Sequence, residues 1–291
     1  MREKTNLISI IIPCFNDHEY IEQAVQSALD QTYENKEIIV VDDGSNAKTR
    51  AVLKNFESKI DLLITQDNQG QSIARNNGIK KATGEYILNL DSDDYFEKSF
   101  CGRAVKKFLE DSQIKIITCH ARRFDEKGEI DVFVPRGGNL ENFLFANAAL
   151  GSVMFKKTDW EKTGGYEEEL PILGFEDWEF YIQLLKSGGY AYIIPEVLFN
   201  YQIRENSTTN RIKDLKFDKL KNIIFKHSDL YKENFDLLIL DLIERLKAEE
   251  KEKIKNRERI EFNLGNSLLK FPRFIKSLPS RILIKLKSQF R

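Results

Sequence analysis

The chain has 291 residues, 41% of them hydrophobic, and a formal net charge of −1, which is enough apolar material for a sizeable core and, by length, about two domains. No run approaches the ~20 apolar residues of a membrane-spanning helix, and the short apolar stretch near the start lacks the layout of a signal peptide. Three cysteines, at 14, 101 and 119, form no paired motif and fit a reduced, cytosolic setting with Cys14 and Cys119 as packed small hydrophobes.

Residues 8 to 12, four isoleucines and Ser9, are mostly β-branched and uncharged, which suits a strand buried on both faces of a parallel sheet. Pro13-Cys14-Phe15-Asn16 ends it, and Asn16 followed by Glu19 has capping-box spacing ahead of Tyr20, Ile21, Ala24, Val25, Ala28 and Leu29 at helical period. The pattern returns with a strand over 37–41 stopped by Asp42-Asp43-Gly44-Ser45, a helix over 48–58, a strand over 61–65, a helix over 71–82 and a strand over 86–90. Repeated βα units imply right-handed crossovers and a mostly parallel, doubly wound sheet. A ligand then lies beyond the carboxyl ends of the strands, where residues 13–16, 42–45 and 91–94 fall.

The fourth strand runs into Asp91-Ser92-Asp93-Asp94. Three carboxylates in four residues repel one another, and solvent or a hard divalent cation must offset that cost, so the tetrad alone reads as a metal-diphosphate site, a calcium site or a solvated loop. Further on, Gly174-Phe175-Glu176-Asp177-Trp178 opens a helix whose apolar face is Phe180, Tyr181, Leu184 and Leu185, and Gly188-Gly189 ends it. Acids in a first helical turn also complement the helix dipole, which leaves a purely structural reading of Glu176 and Asp177 open. Asp42 and Asp43 fit a turn before Gly44 equally well. The histidines at 18, 120 and 227 have no metal-ligand spacing.

The strings IIPCFND, EIIVVDDGS, NQGQSIARNNGI, GEYILNLDSDD, GGYEEEL and GFEDWEFYIQLLKSGG, in that order over about residues 6–210, resemble family 2 glycosyltransferases with the A-type nucleotide-sugar fold. The resemblance implies an α/β, Rossmann-like fold with a mostly parallel central sheet flanked by helices. A catalytic domain over 1–210 is expected, with a nucleotide-binding half over about 1–96 and an acceptor-binding half over about 97–210, followed by a helical, basic extension over 211–291. It further implies that Pro13 and Phe15 border the base, that Asp43 accepts a hydrogen bond from a uracil or thymine ring N–H, and that Asn16 and Arg75 lie on the nucleotide-sugar; residue spacing alone makes Asn16 a helix cap and Arg75 a solvated cation. Asp91 is expected on the ribose and the metal and Asp93 on the metal, Mg²⁺ or Mn²⁺, with Asp94 a second candidate ligand. Asp177 matches the general base of an inverting transfer, and Glu176 is placed to orient the acceptor. Arg204 stands where a basic residue closes over the diphosphate, and its fixed charge suits phosphate; Gln202 departs from the arginine commonly found beside the tyrosine.

The resemblance thus implies an enzyme of the hexosyl- or N-acetylhexosaminyltransferase class, moving a sugar from a nucleoside diphosphate, UDP by preference, to a saccharide of polysaccharide biosynthesis (capsule, O-antigen or similar) that a lipid carrier could hold. Two other classes remain: a nucleotide-sugar-binding scaffold without turnover, and a nucleotidyltransferase, which would carry a glycine-rich basic loop where this chain has PCFND. The dinucleotide fingerprint of a dehydrogenase is absent after the first strand.

Charge is unevenly spread. Residues 251–291 hold twelve Lys/Arg against three Glu, a net of +9 that leaves −10 for residues 1–250. From Phe262 onward seven basic residues and no acid alternate with Leu, Ile and Phe, the composition of an interfacial helix on anionic lipid, broken near Pro272 and Pro279, although a pack against protein is the other reading. An acidic catalytic half with no recognised module speaks against nucleic acid. The stretch over 214–259 reads as helical, able to pack on the core or on a second subunit as a homodimer.

Overall fold

An uncharged, mostly β-branched run is stable as a strand only when both its faces are covered, and β1 (Ile8–Cys14) is buried at all seven positions. The protein is seen here as a computed structural model that describes residues 5–204 and 215–277. After β1 come α1 (Ile21–Leu29), β2 (Lys36–Asp43), α2 (Ala47–Lys54), β3 (Leu62–Gln66), α3 (Gln71–Lys81) and β4 (Tyr86–Asn89). These four strands stand in the order β3-β2-β1-β4, all parallel, as the repeated βα units predict.

The second half comprises β5 (Tyr95–Phe96), α4 (Phe100–Glu110), β6 (Ile114–Asp125), β7 (Gly128–Phe133), α5 (Leu140–Leu144), β8 (Met154–Lys156), α6 (Lys157–Thr163), α7 (Glu176–Leu185) and β9 (Tyr190–Gln202). Here the sheet becomes mixed. Short β8 runs antiparallel to both β4 and β6 and joins the two halves, β6 and β9 are parallel, and β5 and β7 add antiparallel edges. The parallel character is therefore concentrated in the first ninety residues. One apolar core, including Ile10, Val25, Val40, Leu88, Phe100 and Phe199, runs through both halves.

Asn16 does not cap the first helix. α1 starts at Ile21 with Tyr20 as its N-cap and no side-chain cap, because the chain first turns through a left-handed residue, Asn16 (φ 60°), a conformation asparagine tolerates better than most residues. Its side chain reaches the neighbouring unit instead, where Oδ1 accepts from Asn46 N at 2.8 Å, and Asn46 caps α2.

The chain divides into two compact units, Met1–Ser228 and Asp229–Arg291. Helix α8 (Lys216–Lys226) thus belongs with the sheet, beyond the expected boundary at 210. It is held by Glu179 of α7, fully buried, which receives Lys226 Nζ at 2.7 Å, His227 Nε2 at 2.8 Å and Gln183 Nε2 at 2.9 Å. Burial alone would raise the Glu179 carboxyl, but the bonds from His227 and Lys226 outweigh it and hold the group below its usual range.

The second unit, taken by itself, is helical: α9 (Ser228–Glu233) at its boundary, α10 (Phe235–Glu258) and α11 (Ile260–Ser277). α10 buries none of its residues and is laced by i,i+4 pairs such as Arg245–Asp241 at 2.6 Å and Lys253–Glu249 at 2.7 Å. α11 continues through position 272, where a break was expected; a proline forfeits one helical hydrogen bond and bends a helix without having to end it. The break expected at Pro279 lies outside the described residues. Among the described residues no helix is long and apolar enough to cross a membrane.

Candidate active site

The carboxyl ends of β1, β2 and β4 bring the expected residues to one edge of the sheet. Asp91 follows β4, and its Oδ1 accepts from Arg75 Nη2 at 2.6 Å and Gln71 Nε2 at 2.9 Å, both on α3. Arg75 is 2% exposed, not the solvated cation that helix spacing allowed. Its partner lies across the sheet edge, and its guanidinium stacks 5.3 Å from the Tyr166 ring.

Asp94 is buried and accepts from Gln202 N at 2.8 Å, so it ties the tetrad to β9; burial, with Asp93 and Asp91 nearby, pushes its pKa well up. Asp93 meets Arg204 Nη2 at 2.5 Å. Burial, joined by the charges of Asp91 and Asp17 and opposed by Arg204, pushes Asp93 up to about 6. Arg204 reaches Asp17 Oδ1 at 2.9 Å with Nη1 and stacks 4.8 Å from the Tyr20 ring, and Asp17 also accepts from Ser92 Oγ at 2.5 Å. The residue expected to close over a diphosphate thus faces the tetrad.

On the nucleotide side, Pro13 is buried within β1, while Phe15 is 46% exposed. Asp43 is buried and already receives three donors: Gln66 Nε2 at 2.8 Å and Gln69 N at 2.9 Å on Oδ1, and Gly70 N at 2.9 Å on Oδ2. It fixes the loop that enters α3. Asp42 makes the turn, accepting from Ser45 N at 2.9 Å and Arg50 Nε at 3.2 Å. Gly44 is required twice over, by φ +78° and by an approach that would put a Cβ 2.6 Å from Asn68 N.

From the other half of the sheet, α7 begins with the acidic pair. Glu176 is 3% exposed and its Oε2 has no hydrogen-bond partner among the described residues. Asp177 is partly exposed; it accepts from Asn147 Nδ2 at 2.9 Å on Oδ2 and from Trp178 N at 2.8 Å on Oδ1. Burial, then the charge of Glu176, partly opposed by Arg75, raises Asp177 to about 6. A Cβ placed on Gly151 would stand 3.5 Å from Oδ2 of Asp177 and 3.5 Å from Oδ2 of Asp91. The two acids, far apart in sequence, border one small space.

Sequence reasoning missed Asp17, Gln71, Asn147, Gly151 and Tyr166. Asp17, Gln71 and Tyr166 sat inside quoted motifs with no role of their own, and Asn147 and Gly151 fall in a stretch of small residues with no period. All three cysteines are buried and unpaired, and burial pushes each thiol up to about 12.

Residues 9–149 match the description of glycosyl transferase family 2, and residues 144–206 match that of the N-terminal domain of galactosyltransferase. A Bacillus subtilis (strain 168) protein that carries the name "Putative teichuronic acid biosynthesis glycosyltransferase TuaG" is 31% identical over 210 residues, covering 70% of this chain and 82% of that protein. Among solved structures, S. aureus TarS 1-349 in complex with UDP-GlcNAc superposes with a TM-score of 0.58 at 21% identity, over 69% of this chain and 60% of that one. The mannosyltransferase PcManGT from Pyrobaculum calidifontis, in complex with GDP-Man and Mn²⁺, gives 0.55 at 19% identity, over 72% and 61%. The chain spans about three fifths of these two structures, and at such identity the likeness shows the fold. Motifs, topology and relatives agree: the chain belongs to glycosyl transferase family 2 and is a glycosyltransferase of the A-type nucleotide-sugar fold.

Proposed function

We propose that the protein transfers a hexosyl or N-acetylhexosaminyl unit from a nucleoside diphosphate, UDP, to a hydroxyl of a growing polysaccharide, with inversion at the anomeric carbon. The observation that carries this reading is the shared space at Gly151, which sets Asp177 beside Asp91. An ionised Asp177 takes the proton of the acceptor hydroxyl as that oxygen bonds to the anomeric carbon; the bond from the same carbon to the diphosphate breaks, and its electron pair leaves with the diphosphate. Asn147 holds the Asp177 oxygen in place, and Glu176 Oε2, buried without a partner among the described residues, is available to an acceptor hydroxyl. Arg204 exchanges part of its contact with Asp93 for the diphosphate, while Pro13, Phe15, Asn16, Asp43 and Arg75 form and brace the nucleotide side. The bound UDP-GlcNAc and GDP-Man of the structural neighbours support a nucleotide-sugar donor, and the name of the Bacillus subtilis relative, which speaks of teichuronic acid biosynthesis, supports a polysaccharide as product.

The donor set fits a hard divalent cation. Asp91, Asp93 and Asp17 all offer oxygen donors, and burial, joined by the charges of Asp91 and Asp17, keeps the Asp93 carboxyl raised in spite of Arg204. Among the described residues no group of three or more His, Cys, Asp or Glu makes a complete metal site, so Asp93 and Asp91 would hold Mg²⁺ or Mn²⁺ together with substrate phosphate and water. A dication bound there supplies neutralisation of the charge that develops on the leaving diphosphate.

Nucleotide release from a panel of UDP-, dTDP- and GDP-sugars, with Mg²⁺ or Mn²⁺ and again with excess chelator, tests the proposal. Release from a UDP-sugar that the chelator abolishes is expected; no metal-dependent release from any donor would contradict it.

A further inference from the structure

We infer that Gly151 sets the room available to the transferred sugar between Asp91 and Asp177, an inference that rests on the proposed function. Nothing in the backbone requires glycine here, since Gly151 is not among the glycines in the left-handed region. Protein packing does not require it either: an added Cβ would meet two atoms within 4 Å, the carboxylate oxygens of Asp91 and Asp177, both at 3.5 Å, an ordinary van der Waals contact. A glycine that neither conformation nor packing demands keeps open the space those two oxygens border.

The wall around that space is fixed. Tyr181, fully buried on the same helix as Asp177, has its hydroxyl 2.7 Å from Leu150 O and 2.9 Å from Gly151 O, one proton shared between two carbonyls. The next residue, Ser152, accepts from Asp91 N at 3.2 Å, and Asn147 of the same loop donates to Asp177 at 2.9 Å. The loop is tied to both acids, so a methyl at 151 stays in the space they border unless they move with it. Bare Cα surface between two carboxylates suits one class of occupant, a pyranose ring with its C–H face over Gly151 and hydroxyls turned to the acids. The base, at the β1 and β2 ends, lies outside this space.

Isothermal titration of UDP and of UDP-GlcNAc, in Mn²⁺, to the wild-type protein, Gly151→Ala and Gly151→Ser tests the inference, with thermal unfolding as the check on folding. A methyl-sized intrusion against a fitted ligand is worth roughly tenfold or more. The expected result is unchanged melting in both variants, with UDP-GlcNAc weakened by about that factor more than UDP. Variants that bind UDP-GlcNAc as the wild type does, or that lose UDP and UDP-GlcNAc equally, would overturn the role of Gly151 alone. A wild-type protein that binds neither probe would contradict the proposed function itself.

Discussion

Burial lifts Asp177 to about 6, which keeps it ionised at neutral pH and still basic enough to take a proton. The same shift acts on stability. A carboxyl whose folded pKa exceeds its unfolded value near 4 binds protons more readily when folded, so ionising it costs stability: nothing below about pH 4, progressively more through about 6, and the full amount above. Asp177→Asn should therefore raise stability by about 2 kcal/mol at pH 8, less than the full shift allows because the group is partly exposed. The gain in melting temperature should vanish near pH 3.5, and an equal gain at both pH values would contradict the assignment. Asp93→Ala should leave the protein folded, weaken Mn²⁺ binding in the presence of UDP and lower turnover by roughly 100-fold or more; near wild-type turnover, or wild-type turnover undiminished by chelator, would remove Asp93 from the metal. At this scale the sequence showed acids at strand ends, because a carboxylate at an apolar strand terminus stands out. It concealed partners distant along the chain: Asp91 for Arg75, Gln69 and Gly70 for Asp43, and Asp177 and Asp91 around Gly151.

The elements that carry these residues fit closely at α3. A Cβ on Gly78 would stand 2.6 Å from Ile11 Cγ2 and 3.1 Å from Val41 Cγ2, so this helix lies against β1 and β2 through a bare backbone. Alanine has the better helix propensity, yet Gly78→Ala should destabilise by about 1–3 kcal/mol through overpacking, measured by urea unfolding; equal or greater stability would show that the helix can rise off the sheet. Any such rise would carry Gln71 and Arg75 away from Asp91. The βα units of the first half were legible because buried parallel strands are unbroken apolar runs and each is followed by a helical period. The second half was legible only at α7: β8 has three residues, β5 has two, and all six positions of β7 are exposed, so period and burial leave little trace in these strands. The capping-box spacing at Asn16 misled because a left-handed turn intervened before the helix.

Across the whole molecule, the net charge of −10 over residues 1–250 against +9 over 251–291 could be counted directly, and the described part of α11 exposes Phe262, Leu264, Leu268 and Leu269. Each basic residue near an anionic leaflet contributes roughly 1 kcal/mol, screened over ~8 Å at physiological salt. Truncation after Glu261 should abolish sedimentation with anionic liposomes at low salt while sparing nucleotide release; full-length protein that ignores such vesicles would instead favour a tail that packs on protein. The central claim is that two halves of one sheet bring a base, Asp177, to a donor held at the tetrad. It is tested most directly by comparing wild type and Asp177→Asn in one experiment, with UDP affinity measured by titration and transfer measured at saturating donor. The same UDP affinity is expected in both proteins, with turnover lost in the variant by roughly 100-fold or more; lost UDP binding with transfer spared at saturating donor would contradict the role of Asp177 as base.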